Sequence, residues 1–241
     1  MRGADIRDTT AVEDRHWWYR ERRALLAREL RRLHAHPGRE AVEIGAAGGG
    51  NCLVMRDFGY QVLATEFLPE GVEIARARGL DAIQADARDL PLESATRDLL
   101  VAFDVLEHIE EDARAAAEIH RVLRPGGSAL IAVPADMRLW SVFDELSGHV
   151  RRYDRAGLTA LISGAGLRVD ALWSWNVLLR PAVALRRTAT TRQPESALRH
   201  DVTAVHPLLN ALLGGIVRLE RGLPVGRLPG VSLFLRAHKP L

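Results

Sequence analysis

Hydrophobic and polar residues follow two different patterns along the chain, and each pattern predicts a different kind of element. Between residues 13 and 34, apolar side chains such as Trp17, Leu26 and Leu30 recur three or four positions apart, with arginines between them. This spacing predicts a helix with one buried face. Residues 97–103 instead carry a nearly continuous apolar run, which is typical of a strand buried in a parallel sheet.

The predicted strands and helices alternate through the first two thirds of the chain. Strands are predicted at residues 41–44, 61–65, 82–84, 97–103, 128–133, 167–173 and 231–237. Helices are predicted at residues 13–34, 51–58, 69–78, 111–123, 155–164, 177–187 and 207–221. Such alternation predicts a doubly wound α/β sheet of mainly parallel strands. Ligands bind such sheets at the carboxyl ends of the strands.

We expect a single domain made of three parts. Residues 1–38 form a helical cap, and residues 39–175 together with 231–241 form the core. Residues 176–230 form a helical insertion before the last strand, which could act as a lid. Within this insertion, the polar residues 189–201 are expected to form a mobile loop.

Composition narrows the class of protein. A chain of 241 residues that is 47% hydrophobic suits a folded domain. Its one cysteine, Cys52, excludes an intramolecular disulfide, and no stretch reaches the roughly 18 consecutive apolar residues of a membrane span. We therefore expect a cytoplasmic protein without stable membrane insertion. The formal net charge of +2 gives no strong case for nucleic-acid binding, so we expect none.

Small residues and carboxylates mark the ends of the first three strands. Residues 45–50 read Gly-Ala-Ala-Gly-Gly-Gly, which lets the backbone approach a ligand closely, although the spacing also imitates a degraded dinucleotide fingerprint. Glu43 could bind an ammonium group, Glu66 could accept hydrogen bonds from ribose hydroxyls, and Asp86 could accept one from an adenine amine. Each acid alone could equally be a solvated loop charge or a helix cap.

Five segments together resemble the class I S-adenosylmethionine-dependent methyltransferases, in the bacterial subgroup of the type 11 and type 12 domains. They are residues 43–49, Glu66, Asp86, residues 98–108 and residues 121–127. The resemblance covers about residues 39–134, with Ala47 in place of a usual glycine. It implies a Rossmann-like seven-stranded sheet whose last strand is antiparallel. It also implies S-adenosylmethionine as the cofactor and S-adenosylhomocysteine as its product.

The resemblance also implies positions for the cofactor. Ala102, Phe103 and Asp104 would line its methionine end, and Phe67 would lie against its ribose or adenine. Residues 16–20 resemble the N-terminal cap of the subgroup, where Tyr19 or Arg23 could reach the cofactor carboxylate, although this helix could also simply pack on the domain. The expected cofactor contacts are Tyr19, Arg23, Glu43, Gly45, Ala46, Ala47, Gly49, Glu66, Phe67, Asp86, Ala87, Ala102, Phe103 and Asp104.

Candidates for the acceptor side follow the fourth and fifth strands. His149, His108 and Tyr153 are the catalytic candidates, since a histidine can act as a general base near neutral pH. The expected substrate contacts are Trp140, Asp144, Arg151 and Arg152. The alternative is that His149 and Tyr153 anchor their loop while the arginines are solvated. We find no cluster with metal-ligand spacing, so no metal is expected.

The function predicted from these features is methyl transfer to an oxygen, nitrogen or carbon atom of a small molecule. This acceptor could be a secondary-metabolite intermediate with an anionic group. The alternatives are a lipid or isoprenoid methyltransferase at a membrane surface and a non-catalytic cofactor-binding protein. The basic and apolar start of the insertion could form a substrate wall, a dimer contact or a peripheral membrane surface. We expect a monomer or a homodimer.

Overall fold

A sheet of seven strands forms the centre of the protein in the computed structural model, which describes residues 3–33, 38–190 and 205–241. The strands lie in the order β3-β2-β1-β4-β5-β7-β6. Their bounds are β1 Glu40–Ile44, β2 Gln61–Glu66, β3 Asp81–Gln84, β4 Arg97–Phe103, β5 Leu123–Pro134, β6 Arg168–Trp175 and β7 Ser232–His238. The first five strands pair in parallel, and β7 is antiparallel to both β5 and β6. The predicted doubly wound fold with an antiparallel last strand is confirmed.

Helices cover both faces of this sheet. They are α1 Gly3–Val12, α2 Trp17–Arg32, α3 Gly50–Asp57, α4 Pro69–Ala77, α5 Asp112–Val122, α6 Val142–Leu146, α7 Arg155–Gly164, α8 Arg180–Thr190 and α9 Pro207–Glu220. Two hydrophobic clusters fill the space between the helices and the sheet, one cluster on each face. Asp154 caps α7 by accepting a hydrogen bond from the Gly157 amide at 2.6 Å.

The N-terminal region differs from the prediction. The sequence predicts one helix over residues 13–34, whereas the structure has α1 and α2 joined by a short turn. The side chain of His16 caps α2 by accepting from the Trp18 amide at 3.2 Å, so the second helix cannot simply continue the first. α1 has little apolar periodicity, and Ile6 is its fully buried side chain.

Strand β5 begins five residues earlier than predicted. Arg97 pairs with Leu123, but the next pair joins Leu99 to Ser128, so the intervening residues of β5 bulge out of the ladder. Gly126 has a φ of 78°, which explains a glycine in this bulge. The segment therefore shapes the entry to β5, at the end of the strand opposite the expected ligand site.

The insertion contacts the N-terminal cap. Asn210 on α9 accepts a hydrogen bond from the Trp17 amide at 2.8 Å and donates to the Arg15 carbonyl at 3.0 Å. Of the expected mobile loop, Ala189 and Thr190 belong to α8, and residues 191–201 lie outside the described residues. Within the described ranges, no helix combines the length and the apolar composition that crossing a bilayer requires.

Candidate functional site

A cleft of about 1730 Å³ opens where β1, β2 and β4 end. Sheet order reverses between β1 and β4, since β2 and β3 lie on one side and β5 on the other, and this is where doubly wound sheets bind ligands. The glycine-rich turn after β1, the helix α2 and the loop after β5 border the cleft. Pockets for one drug-sized ligand have volumes of about 300–1,000 Å³, so this cleft has room for two reactants.

The turn after β1 depends on left-handed backbone conformations. Gly45, Ala47 and Gly49 have φ angles of 67°, 47° and 79°. A Cβ on Gly45 would lie 2.5 Å from a methyl carbon of Val105, so no larger residue fits there. Ala47 adopts its positive φ at a cost of roughly 1–2 kcal/mol. The turn thus presents bare backbone to the cleft and leads directly into α3.

Glu43 lies buried beneath this turn, with 2% of its surface exposed. Its carboxylate accepts hydrogen bonds from Asn51 Nδ2 at 2.7 Å and from the Cys52 thiol at 2.9 Å. Burial raises the pKa of Glu43 to about 7, against the effect of these two donors. The carboxylate is therefore held in one orientation at the floor of the cleft.

Glu66 and Asp86 stand at the ends of the next two strands, and both already have partners. Glu66 accepts from the Ala47 amide and from the Phe67 amide, each at 2.8 Å, and so connects β2 to the glycine-rich turn. Asp86 accepts from the Arg88 guanidinium at 2.6 Å, and this bond lowers the pKa of Asp86. A ligand that uses either carboxylate must share it with these donors.

Asp104 follows β4 and has a φ of 54°. Arg22 on α2 donates to its carboxylate, and the same guanidinium lies over the Phe103 ring at 5.3 Å from the centroid. These contacts bring helix α2 onto the carboxyl end of β4. The chain therefore places a cation and a carboxylate side by side in the cleft.

Tyr19 and Arg23 also line the cleft from α2. The Arg23 guanidinium donates to the Glu13 carbonyl at 2.7 Å and pairs with the Asp14 carboxylate at 3.1 Å. The Glu13 carboxylate in turn pairs with Arg78, just beyond α4. Burial raises the pKa of the Tyr19 phenol. Arg23 therefore fixes the turn between α1 and α2, while Arg22, the preceding residue on the helix, binds Asp104.

A buried carboxylate organises the loop after β5. Asp144 is fully buried and accepts from His149 Nδ1 at 2.9 Å, from Arg152 Nε at 2.8 Å and from Arg187 at 2.8 Å. Burial acts to raise the pKa of Asp144, but the bond from His149 and the charges of the two arginines outweigh it and lower that pKa. Asp144 thereby joins the loop to α8 and fixes the His149 ring.

Arg151 and Tyr153 act on the other side of the same loop. Both donate to the Asp112 carboxylate at the start of α5, at 2.5 Å and 2.7 Å. Burial and this neighbouring carboxylate raise the pKa of the Tyr153 phenol. Arg151 and Tyr153 therefore both tie the loop to α5, whereas the alternative interpretation left the arginines solvated.

Three side chains from the loops after β4 and β5 meet on the acceptor side of the cleft. The rings of His108 and His149 lie with their centroids 4.7 Å apart, and Glu107 is fully buried beside them. Burial and the nearby His149 lower the pKa of His108 to about 4. Burial and the charge of Asp104 raise the pKa of Glu107 well above its usual range.

Comparison with known proteins finds methyltransferases among the proteins similar to this chain. A family model described as a methyltransferase domain matches residues 42–131. A probable S-adenosylmethionine-dependent methyltransferase of Mycolicibacterium smegmatis is 29% identical over 68% of this chain and 64% of its own length. A second one, from Mycobacterium tuberculosis H37Rv, is 29% identical over 62% of this chain and 55% of its own. The chain therefore spans about 55–64% of the length of these relatives.

The fold comparison agrees. A chain in the solved complex of the Haloferax volcanii Trm112 methyltransferase activator with a methyltransferase superposes with a TM-score of 0.68. The match covers 99% of this chain and 96% of that one, at 21% identity. Residues 42–131 are thus similar to the methyltransferase domain, and the chain shares the fold of a chain in that solved complex.

Most of the residues expected to bind the cofactor border the cleft. They are Tyr19, Arg23, Glu43, Gly45, Ala46, Ala47, Glu66, Phe67, Asp86, Ala87, Phe103 and Asp104. The cleft lining does not include Gly49, which is the N-cap residue of α3, or Ala102, which is buried in β4. Phe67 stands at the mouth with 61% of its surface exposed.

Only some of the residues expected to contact the acceptor border the cleft. His108, His149 and Arg152 border the cleft. The cleft lining does not include Trp140, Asp144, Arg151 or Tyr153, and each of these is engaged by a neighbour within the loop or at α5. The structure therefore does not bring these four residues to the cleft with the other residues expected on the acceptor side.

Three functional positions were missed in the sequence. Arg22 follows Trp18 by one helical turn, and this spacing could have placed it on the same face of α2. Asn51 immediately follows the glycine-rich turn, and Glu107 immediately precedes His108. No local pattern reveals that Glu107 is buried, since it occupies a short 3₁₀ turn, Leu106–His108, rather than a periodic element.

Proposed function

We propose that this protein binds S-adenosylmethionine in the cleft and transfers its methyl group to a small-molecule acceptor. The observation that carries the proposal is the convergence of Glu43, Glu66 and Asp104 with a bare backbone turn on one cleft of about 1730 Å³. Three carboxylates around one ligand site suit a cofactor that bears an ammonium, a sulfonium and two ribose hydroxyls. The volume leaves space for an acceptor beside it.

The residues present fit the cofactor chemically. Glu43 and Asp104 would hold its ammonium group, and Glu66 would take its ribose hydroxyls. Within the described part of the chain, the buried Nε atom of Arg22 has no hydrogen-bond partner. A buried N–H without a partner is unfavourable by about 1–3 kcal/mol, so the cofactor carboxylate is a suitable acceptor for it.

Methyl transfer requires positioning more than it requires a reactive side chain. When bound, S-adenosylmethionine supplies a methyl group activated by its positively charged sulfur. The chain must hold the acceptor in line with that group and exclude water. Trp17 and Trp18 on α2 border the cleft, and Trp18 packs on Trp175 with ring centroids 4.6 Å apart. α2 thus forms an apolar cover over the reacting region.

His108 and His149 remain the candidate groups for the acceptor. Each ring engages an oxygen through Nδ1, His108 with the Gly148 carbonyl at 3.2 Å and His149 with Asp144 at 2.9 Å. The other nitrogen of each ring is thereby left to take a proton from an acceptor or to bind a cation. Arg151 and Arg152 were expected to bind an anionic group of the acceptor. Both guanidinium groups are already paired with carboxylates, so the acceptor needs no anionic group.

The proposal is tested in two steps. Calorimetry should detect S-adenosylhomocysteine binding but no binding of NAD, which serves as the control dinucleotide. Incubation with radiolabelled methyl donor and a panel of hydroxyl, amine and carbon acceptors should then transfer label to at least one acceptor class. Absence of S-adenosylhomocysteine binding would refute the proposal. Binding without transfer to any acceptor would favour the non-catalytic alternative.

A second candidate acceptor is an apolar molecule held at a membrane surface. Leu208, Leu212 and Leu219 lie along one face of α9 with 77%, 60% and 64% of their surfaces exposed. An exposed apolar stripe of this kind often marks an interaction surface. Flotation with anionic vesicles should recover the wild-type chain and lose the Leu208→Ser/Leu212→Ser variant if this candidate holds. Equal recovery of both proteins, or of neither, would count against it.

A further inference from the structure

We propose that Glu107, His108 and His149 form a binding site for a divalent transition-metal ion on the acceptor side of the cleft. The site itself requires only these side chains. Its suggested role, to hold an oxygen of the acceptor, rests on the proposed function. The sequence gives no metal-ligand spacing here, because 41 positions separate His108 from His149 and only the fold brings them together.

Glu107 supplies the first argument. It is fully buried, and within the described ranges neither of its carboxylate oxygens has a hydrogen-bond partner. Leaving a carboxylate buried without a partner is strongly unfavourable, and native proteins rarely do so without a compensating group. Glu107 borders the cleft, so a cation that enters the cleft can reach it.

The two histidines supply the second argument. His149 Nδ1 is bound to the Asp144 carboxylate, and His108 Nδ1 lies 3.2 Å from the Gly148 carbonyl. Both partners are acceptors, so in the neutral ring the proton stays on Nδ1 and the lone pair is on Nε2. Histidines that bind metals are oriented in this way, with the second nitrogen bound to a carboxylate or a carbonyl.

Distance supplies the third argument. One ligand atom from each of the three residues lies within 4.8 Å of the other two. Atoms bound to a tetrahedral ion with bonds of about 2.1 Å lie roughly 3.4 Å apart, so binding requires the side chains to approach by at most about 1.4 Å. The histidine rings lie edge to face with their centroids 4.7 Å apart, and Asp144 holds the His149 ring in place.

The ligand set indicates the class of ion and its role. Two imidazoles and one carboxylate suit zinc, cobalt, manganese or iron better than magnesium or calcium. Three protein ligands leave at least one open position, which is typical of a functional rather than a structural site. All three residues border the cleft, so the open position can take a hydroxyl or other oxygen of the acceptor and orient it.

Cobalt is the probe of choice, because its visible spectrum reports coordination. The full chain, freed of metal with a chelator, should bind one Co²⁺ per molecule in equilibrium dialysis and develop visible absorption bands. The nearly isosteric variant Glu107→Gln and the variant His149→Ala should each bind Co²⁺ at least tenfold more weakly. Wild-type affinity in Glu107→Gln, or no stoichiometric binding by the wild type, would overturn the proposal.

The matched control is His238→Ala. His238 also binds a carboxylate through Nδ1, that of Asp170 at 2.8 Å, but it lies on β7 away from the cleft. Its removal should leave Co²⁺ affinity unchanged, and an equal loss in this variant would also refute the site. Circular dichroism and S-adenosylhomocysteine affinity establish that each variant is folded.

The same measurements separate this inference from the proposed function. Wild type that binds S-adenosylhomocysteine but no Co²⁺ disproves the metal site and leaves the function standing. Wild type that binds Co²⁺ but no S-adenosylhomocysteine supports the site and removes the function. Where both bind, addition of an oxygen-bearing acceptor should shift the cobalt spectrum, and a hydrocarbon analogue of the same shape without a ligand atom should not.

Discussion

The guanidinium of Arg22 donates to the carboxylate of Asp104 at an N–O distance of 2.5 Å. The bond joins helix α2 to the end of the central strand β4. The side chain of Arg22 is 9% exposed and that of Asp104 is 31% exposed, so the pair is partly shielded from water. The contact between Arg22 and Asp104 therefore determines both where helix α2 lies and how much net charge the end of β4 presents to the cleft.

Replacement of Arg22 by leucine should weaken S-adenosylhomocysteine binding by about tenfold or more, which corresponds to roughly 1.4 kcal/mol. The variant leaves the carboxylate of Asp104 without its cation and loosens α2. Calorimetry measures the effect, and Arg20→Leu on the exposed face of the same helix is the control. Equal affinities of the two variants would argue against a role for Arg22.

The pKa of Glu43 predicts a pH-dependent stability. Burial raises this pKa from 4.5 to about 7 in the folded protein, so the unfolded chain ionises first as the pH rises. The folded state therefore loses stability between these two pH values, by up to about 3 kcal/mol. Relative to wild type, Glu43→Gln should gain about 2–3 kcal/mol in stability between about pH 5 and about pH 8.

Urea unfolding of both proteins at several pH values measures that difference. The exposed Glu73→Gln on α4 controls for the loss of one negative charge. A stability difference between Glu43→Gln and wild type that stays constant with pH would contradict the assignment of a raised pKa to Glu43.

Docking of α1 depends on the absence of a side chain at Gly48. A Cβ there would lie 2.8 Å from Thr10 Cγ2 and closer still to its hydroxyl oxygen. Gly48→Ala should therefore destabilise the protein by about 1–3 kcal/mol and expose α1 to proteolysis. Gly164→Ala on α7 meets no atom within 4 Å and should be neutral or slightly stabilising.

A double variant tests this mechanism directly. Thr10→Ala removes the atoms that clash, so Thr10→Ala/Gly48→Ala should recover much of the stability lost in Gly48→Ala. Additive effects of the two substitutions in a double-mutant cycle would show that the contact between Thr10 and residue 48 is not the cause.

Asp144 should be the acidic residue most important for the loop after β5. Asp144→Ala leaves the buried guanidinium of Arg152 unpaired, and loss of one partner from a buried pair costs about 3–5 kcal/mol. Asp154→Ala removes only the cap of α7 and should cost about 1 kcal/mol. Chemical unfolding compares the two, with Asp144→Asn as the milder variant. Equal losses in Asp144→Ala and Asp154→Ala would contradict the central role of Asp144.

The sheet could be predicted from the sequence because its strands are short apolar runs between glycines. The predicted β4, residues 97–103, matches the structure at both ends, since it is buried on both faces. The carboxylates Glu43 and Glu66 could be assigned to the cleft because parallel strands end at the same edge of the sheet. Such local patterns can be recognised without knowledge of which distant residues they contact after folding.

The remaining features depend on contacts between distant residues. α1 is held by Thr10 and Glu13 against the glycine-rich turn and Arg78, so its own sequence carries little signal. Tyr153 and Asp112 lie 41 positions apart in the sequence, yet the Tyr153 hydroxyl, which was expected to be catalytic, donates a hydrogen bond to Asp112. A sequence pattern supplies residue types, but it does not show which of them face each other after folding.

Asn210 binds both the Trp17 amide and the Arg15 carbonyl, and Arg218 and Arg221 pair with Glu21, so several polar contacts fasten the insertion to the N-terminal helices. The two parts are far apart in the sequence, but neither can separate from the other while the side-chain amide of Asn210 keeps both hydrogen bonds. If the cleft holds the cofactor as proposed, a ligand that leaves past α2 requires these contacts to open together. The lifetime of a few polar contacts far from the reacting atoms would then limit the exchange of spent cofactor for fresh cofactor.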